Sequence, residues 1–169
     1  MTDFLSQIPE PQIKEIYSLW KAQCHGNLPP FRSEFKIQSM PHHMWANLYF
    51  YNYTDDKRFY CVHNGTAIVQ YFRVENTGHY LDDFITPETA KSIVPLYQEV
   101  IDRGQALYYR GDLQYSDNGF YVFSRILLPI RDKSGEVRHI TGTMYATGEE
   151  KTFNRSPEAE RRNVLWDAP

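Results

Sequence analysis

The order of the strand signals constrains this chain more than any other feature. Two runs joined by a short turn come first, then a helical insertion, then three more runs joined by short turns. Trp45 to Tyr53 sets Leu48 and Phe50 against Tyr49, Tyr51 and Tyr53, the period-2 pattern of a half-buried strand. Thr54-Asp55-Asp56-Lys57 supplies turn residues, and Arg58 to His63 reads as the returning strand. Ala106 to Tyr115, Phe120 to Ile130 and Val137 to Ala146 follow as three further strands. Asp117-Asn118-Gly119 separates the first two of these, with an Asn-Gly step suited to positive φ. Arg131 to Glu136, containing Lys133-Ser134-Gly135, separates the last two. Runs connected by tight turns pair antiparallel, so the spacing predicts an α+β fold with a five-stranded antiparallel sheet.

The helical signals are equally ordered. Residues 10–25 place Ile13, Ile16, Tyr17, Trp20 and Cys24 at helical spacing, which gives one apolar stripe. Pro9 and Pro11 mark the start of this helix, and Gly26 is the expected residue just past its end. Asn27 to Phe35, with Pro29-Pro30, is a stiff connector, and Pro41 to Met44 fits a single turn. Gly65 to Arg73 reads as a short helix. A longer one begins at Thr86 as N-cap with Pro87 in the first helical position and ends near Gly104. Pro95 lies inside it and is expected to kink or split it. The organisation is an N-terminal helix and connector over 1–35, a main domain over 36–147 and a polar C-terminal extension over 148–169. In that extension Ser156-Pro157-Glu158 reads as a helix start and Trp166 as the anchor of a docked tail.

Composition excludes several classes. The net charge of −3 and the scattered basic residues leave no stripe for a phosphate backbone, so nucleic acid is not an expected partner. No apolar run approaches the roughly 18–20 residues that span a bilayer, and Met1 to Ser6 lacks the charged and apolar regions of a leader. Cys24 and Cys61 are far apart and are expected to be free thiols, so the location expected is cytoplasmic.

Finer motifs narrow the reading. Val62-His63-Asn64-Gly65-Thr66 ends the second strand, and Thr77-Gly78-His79-Tyr80-Leu81 precedes the long helix. Tyr17-Ser18-Leu19-Trp20, Pro30-Phe31-Arg32 and Arg125-Ile126-Leu127-Leu128-Pro129-Ile130 complete the set. In this order they resemble the PAS sensory domains, in particular a family of short, mostly stand-alone bacterial PAS-like proteins, over about Ile13 to Thr147. The resemblance implies a five-stranded sheet curved around a small cavity, with helices closing the mouth. It also implies a signalling role through binding of a small molecule or a partner protein, and it carries no shared catalytic residues. Ser124 stands where the resemblance leads one to expect an acidic residue beside Arg125.

The ligand-pocket candidates are the rings of Tyr71, Phe72, Tyr80, Phe84, Tyr97, Tyr109 and Phe123, together with His79 and Arg125. The guanidinium fork of Arg125 suits a carboxylate or phosphate. The cofactor is unknown. Haem through His79 and non-covalent flavin are the two considered, and neither has a motif: there is no Cys-x-x-Cys-His, and no cysteine lies in Gly65 to Arg73. The adjacent pairs His42-His43, Asp55-Asp56 and Asp82-Asp83 point apart on turns, so no metal site or catalytic residue is expected and the chain is not read as an enzyme. The expected partners are a second copy, through Ile13, Ile16, Tyr17 and Trp20, and an unidentified signalling protein. The alternatives are a small cone-shaped isomerase or dehydratase, with Asp82, Asp83 or His79 facing a tyrosine inside the cavity, and a ligand-free interaction module with a filled interior.

Overall fold

A computed structural model describes residues 3–116, 119–152 and 163–167, with side chains except at 112–116, 119–121, 147–152 and 163. The described helices are α1 (Pro11–Lys21), α2 (Thr66–Phe72) and α3 (Pro87–Arg103). The strands are β1 (Leu48–Tyr53), β2 (Phe59–Asn64), β3 (Leu107–Ser116), β4 (Gly119–Arg131), β5 (Val137–Thr152) and β6 (Asn163–Trp166). They form one sheet in the order β2-β1-β5-β4-β3-β6, antiparallel at each pairing. The opening hairpin therefore joins the later meander through its last strand, with Leu48 opposite Thr143 and Tyr49 opposite Gly142.

The sixth strand extends the sequence expectation. Val164 lies opposite Tyr109, and Trp166 opposite Leu107, so the end of the chain docks by ladder pairing. Trp166 is half-buried beneath the Arg103 guanidinium, 4.4 Å from the ring centre. Asp167 then accepts from the Tyr17 hydroxyl at 2.8 Å and from Lys21 Nζ at 3.0 Å, which ties this end to α1. The Asp117-Asn118 turn and the Ser156-Pro157-Glu158 helix start lie outside the described residues.

Several boundaries differ from the sequence reading. Strand β1 starts at Leu48 because residues 42–47 form a 3-10 turn. Gly65 packs so tightly on that turn that a Cβ would stand 2.3 Å from the Trp45 and Ala46 carbonyl oxygens. Helix α1 stops at Lys21, and Gly26 (φ +64°) instead serves the His25–Leu28 turn, where the two backbones bond reciprocally. Helix α3 runs unbroken through Pro95. Pro95 and Lys91, whose carbonyl loses its partner, both lie on the exposed side of the helix, where solvent can reach that carbonyl. The predicted caps hold: the Thr86 side chain accepts from the Thr89 N–H, and Gly104 ends the helix with φ +63°.

The sheet is covered on both faces. On the outer face α1 buries Ile13, Ile16, Tyr17 and Trp20 against Phe50, Tyr108, Ile126, Leu128 and Ile130. Each fully buried aliphatic side chain contributes roughly 1.5–3 kcal/mol. The Trp20 indole N–H donates to the Pro129 carbonyl at 2.9 Å inside this layer. The stripe expected to meet a second copy is thus spent on the chain's own sheet, because that sheet face is itself apolar and adjoins the helix in sequence. The inner face is covered by α3 through Ile93, Tyr97 and Val100.

Candidate functional site

Strand alternation selects the inner face. Tyr49 and Tyr51 of β1, Cys61 of β2, Tyr109 of β3, Phe123 and Arg125 of β4 and Met144 of β5 all project into the layer under α3. Among these apolar and phenolic groups Arg125 is the anomaly. It is a guanidinium only 3% exposed. Nη1 donates to the Tyr97 hydroxyl at 2.6 Å, and Nη2 meets the Met144 sulfur at 3.1 Å. Nε has no partner. The rings of Tyr49, Tyr97 and Phe123 surround the cation at 5.2, 5.6 and 5.6 Å. Among the described residues no carboxylate pairs with it. Burial disfavours the charged form and the surrounding tyrosines, Tyr97 first, favour it, with the balance upward; a guanidinium stays protonated at any ordinary pH. Burial also pushes the Tyr97 hydroxyl up to about 12, so it is neutral and supplies no counter-charge.

The cage is braced from the sheet. The Tyr49 hydroxyl donates to the Ile126 carbonyl across β5. Only a glycine at 142 permits this, since a Cβ there would stand 1.8 Å from the Ile126 oxygen and 2.7 Å from the Tyr49 hydroxyl. The Thr141 hydroxyl donates to the Tyr49 carbonyl at 2.8 Å and fixes the same residue from its backbone.

Further polar atoms are buried without hydrogen-bond partners in β2 and the loop laid against it. Both amide atoms of Asn76 are in this state, as is His63 Nε2 on the Phe50 side of the sheet, while the Asn64 amide, also without a well-formed bond, lies beside the Tyr51 hydroxyl. Asn64 stands opposite Tyr49 in the β1–β2 register, beyond a bulge that turns Val62 outward. The loop carrying Asn76 is laid against β2: the Gly78 N–H donates to the Cys61 carbonyl and the Cys61 N–H to His79. The Cys61 thiol is wholly buried and pushed up to about 12 by that burial, so it is no thiolate nucleophile.

The sequence-derived candidates divide into three groups. Tyr97, Tyr109, Phe123 and Arg125 come together on the inner face. Tyr71, Phe72 and Phe84 flank it, half-buried, with the Phe72 and Phe84 rings 5.6 Å apart. His79 and Tyr80 do not face it. Tyr80 packs edge-on against Tyr60 and lies 3.9 Å beneath Arg58, while His79 is exposed because its backbone, not its ring, is what pairs with β2. His79 and Tyr80 as pocket-lining residues are thereby corrected. Asp82 and Asp83 are both held by Arg58, at 2.9 and 2.6 Å, outside the sheet. The interior acid that an isomerase or dehydratase would need is not formed by Asp82, Asp83 or His79. His43 pairs with Glu15 at 2.9 Å while His42 packs on Trp45, so the two rings diverge. Ser124 faces the other side of the sheet from Arg125 and donates to Glu10 at 2.5 Å, so an acid at 124 would not have reached the guanidinium. Sequence reasoning missed Tyr49, Asn64, Asn76 and Met144. The alternation of β1 marked Tyr49, but Asn64 and Asn76 look like ordinary turn residues until burial is known.

The meander and hairpin joined through β5 and β1, with the helical insertion on one face, form the arrangement that the sequence resemblance implies. The fold is α+β, a six-stranded antiparallel sheet with helices on both faces. Among solved structures, the chain is similar to the N-terminal domain of a diguanylate cyclase with PAS/PAC sensor from Marinobacter aquaeolei. That pair is 18% identical with a TM-score of 0.46, covering 59% of this chain and 92% of the other. The light-state LOV domain of the blue-light photoreceptor Aureochrome1 is 13% identical, with a TM-score of 0.47 over 63% of this chain and 85% of that one. An RNA-binding Light-Oxygen-Voltage receptor is 16% identical, with a TM-score of 0.46 over 70% of this chain and 36% of that one. No family model and no curated protein matches the chain.

Proposed function

We propose that this protein is a cytoplasmic PAS-like sensor or signalling adaptor that holds a small molecule on the inner face of its sheet and reports it through contact with another protein. One observation carries the reading: Arg125 Nε and the Asn64 amide, which stands opposite Tyr49, are buried there without hydrogen-bond partners. An unpaired buried polar group costs about 1–3 kcal/mol, more when charged, and a filled apolar interior would not retain a set of them. An occupant that supplies their missing partners removes that cost. It biases the protein between two states only by its differential affinity for them, and α3, which bears both Tyr97 and Val100 on the inner face, is the element an occupant would shift. The role is binding without catalysis. A homodimer belongs to the same reading; since α1's stripe is covered, the pairing surface lies elsewhere, and light scattering of the wild type tests it. The test of the sensor reading is native mass spectrometry with an absorbance spectrum on freshly purified protein. A retained mass that leaves on denaturation supports it. A bare polypeptide mass, together with no thermal shift across a broad metabolite panel, refutes it.

A further inference from the structure

The geometry of Arg125 points to one ligand class: we infer that the inner face takes a monocarboxylate with a flat, ring-like body, its carboxylate seated on the Nε–Nη2 edge of Arg125. This rests on the ligand-binding reading above and narrows it. A guanidinium offers paired, parallel N–H groups along the edge formed by Nε and Nη2, and that edge matches the two oxygens of a carboxylate. Here the opposite nitrogen, Nη1, is already engaged by Tyr97, which orients the fork. The Nε–Nη2 edge meets only the Met144 sulfur, a weak acceptor on a side chain with three rotatable bonds, and Nε meets nothing. A carboxylate replaces a thioether contact with two charge-assisted bonds, and Met144 is the group that moves.

Charge selects the carboxylate. Arg125 is the cation of this layer among the described residues, and burial pushes the Tyr49, Tyr51, Tyr97 and Cys61 groups around it upward, which keeps them neutral at ordinary pH. A single negative charge balances the site, whereas a phosphate dianion leaves one charge buried and uncompensated, a cost of several kcal/mol. The rings of Tyr49, Tyr97 and Phe123 that surround the cation make the remainder of the wall flat and apolar. Beyond them, the Asn64 amide, opposite Tyr49 on β2, offers a donor and an acceptor for a polar substituent on the ligand body.

The test is calorimetric titration of the full chain with benzoate and 4-hydroxybenzoate against benzamide and phenyl phosphate, with the Met144 methyl carbon signal followed by NMR. The carboxylates bind at least about 30-fold more tightly than benzamide and shift the Met144 signal, and Arg125→Met removes that preference. Where Arg125→Met does not fold, Arg125→Lys, which keeps the charge but not the fork, gives the same loss. Equal binding of benzamide and benzoate, or carboxylate binding unaltered by either variant, overturns the inference. So does failure of both carboxylates to bind. A retained mass of another kind in native spectrometry would then leave the sensor reading standing, and a bare polypeptide with no thermal shift across the metabolite panel would remove both.

Discussion

Replacing Arg125 with methionine in ligand-free protein should raise stability rather than lower it. Three terms set the sign. Nη1 gives one buried hydrogen bond to Tyr97, worth about 1–2 kcal/mol net. The three rings stand 5.2–5.6 Å from the cation, near the outer limit of useful contact, and contribute about 0.5 kcal/mol each. Against these stands the desolvation of a guanidinium 97% removed from water with no counter-anion among the described residues, which costs several kcal/mol even after relaxation. Replacement even of a buried ion pair by apolar chains of similar volume is commonly neutral or stabilising by about 1–4 kcal/mol, and a charge without a counter-anion has less attraction to lose. The expectation for Arg125→Met is a gain of about 1–2 kcal/mol. Tyr97→Phe added to it gains about 1 kcal/mol more by removing the hydroxyl left without its donor. Urea unfolding, read as midpoint and slope, measures both. A loss of more than about 3 kcal/mol for the single variant would refute the reasoning, since that is the signature of breaking a balanced buried pair.

Other perturbations follow from the same geometry. Gly142→Ala should destabilise by about 3 kcal/mol or more, because its Cβ would collide with the Ile126 carbonyl and evict the Tyr49 hydroxyl; a urea midpoint close to wild type contradicts this. Trp20→Phe keeps the ring packing but strips the Pro129 carbonyl of its buried donor, at about 1–3 kcal/mol by the same assay. His139 and His63 are both held below the ordinary value of 6.5, first by burial. Their neutral forms are favoured in the folded state, so the unfolded chain binds more protons below that value. The stability they contribute is intact above about pH 6.5 and lost as pH falls. Thermal midpoints should drop between about pH 7.5 and pH 5, and less so in His139→Gln; a midpoint that rises on acidification contradicts the assignment.

Much of the fold was legible because its signals are local. The alternation of Leu48 and Phe50 against the tyrosines, the Thr86-Pro87 start and the Gly104 stop of α3 each follow from the chemistry of a few neighbouring residues. The extent of β5 and the pairing of β6 were not legible: Asn163 to Trp166 gains its strand conformation from the free edge of β3, a partner more than fifty positions away. The fate of the α1 stripe was a choice between two apolar surfaces that periodicity alone cannot rank. The site was half legible. Tyr97, Tyr109, Phe123 and Arg125 share one face by strand and helix period. His79 was misplaced because its turn docks on β2 through the backbone, leaving the ring outside. Asn64 and Asn76 carry no distinguishing pattern, and only their burial without partners separates them from common turn residues.

The central claim is that the Nε–Nη2 edge of Arg125 is open to a carboxylate. Arginine side-chain NMR on the intact chain observes that edge itself. On saturation with benzoate the Arg125 Nε–H signal should move downfield and exchange more slowly with solvent, and benzamide should leave it unmoved. An Arg125 signal that stays in place while benzoate binds, or that responds equally to the amide, contradicts the account.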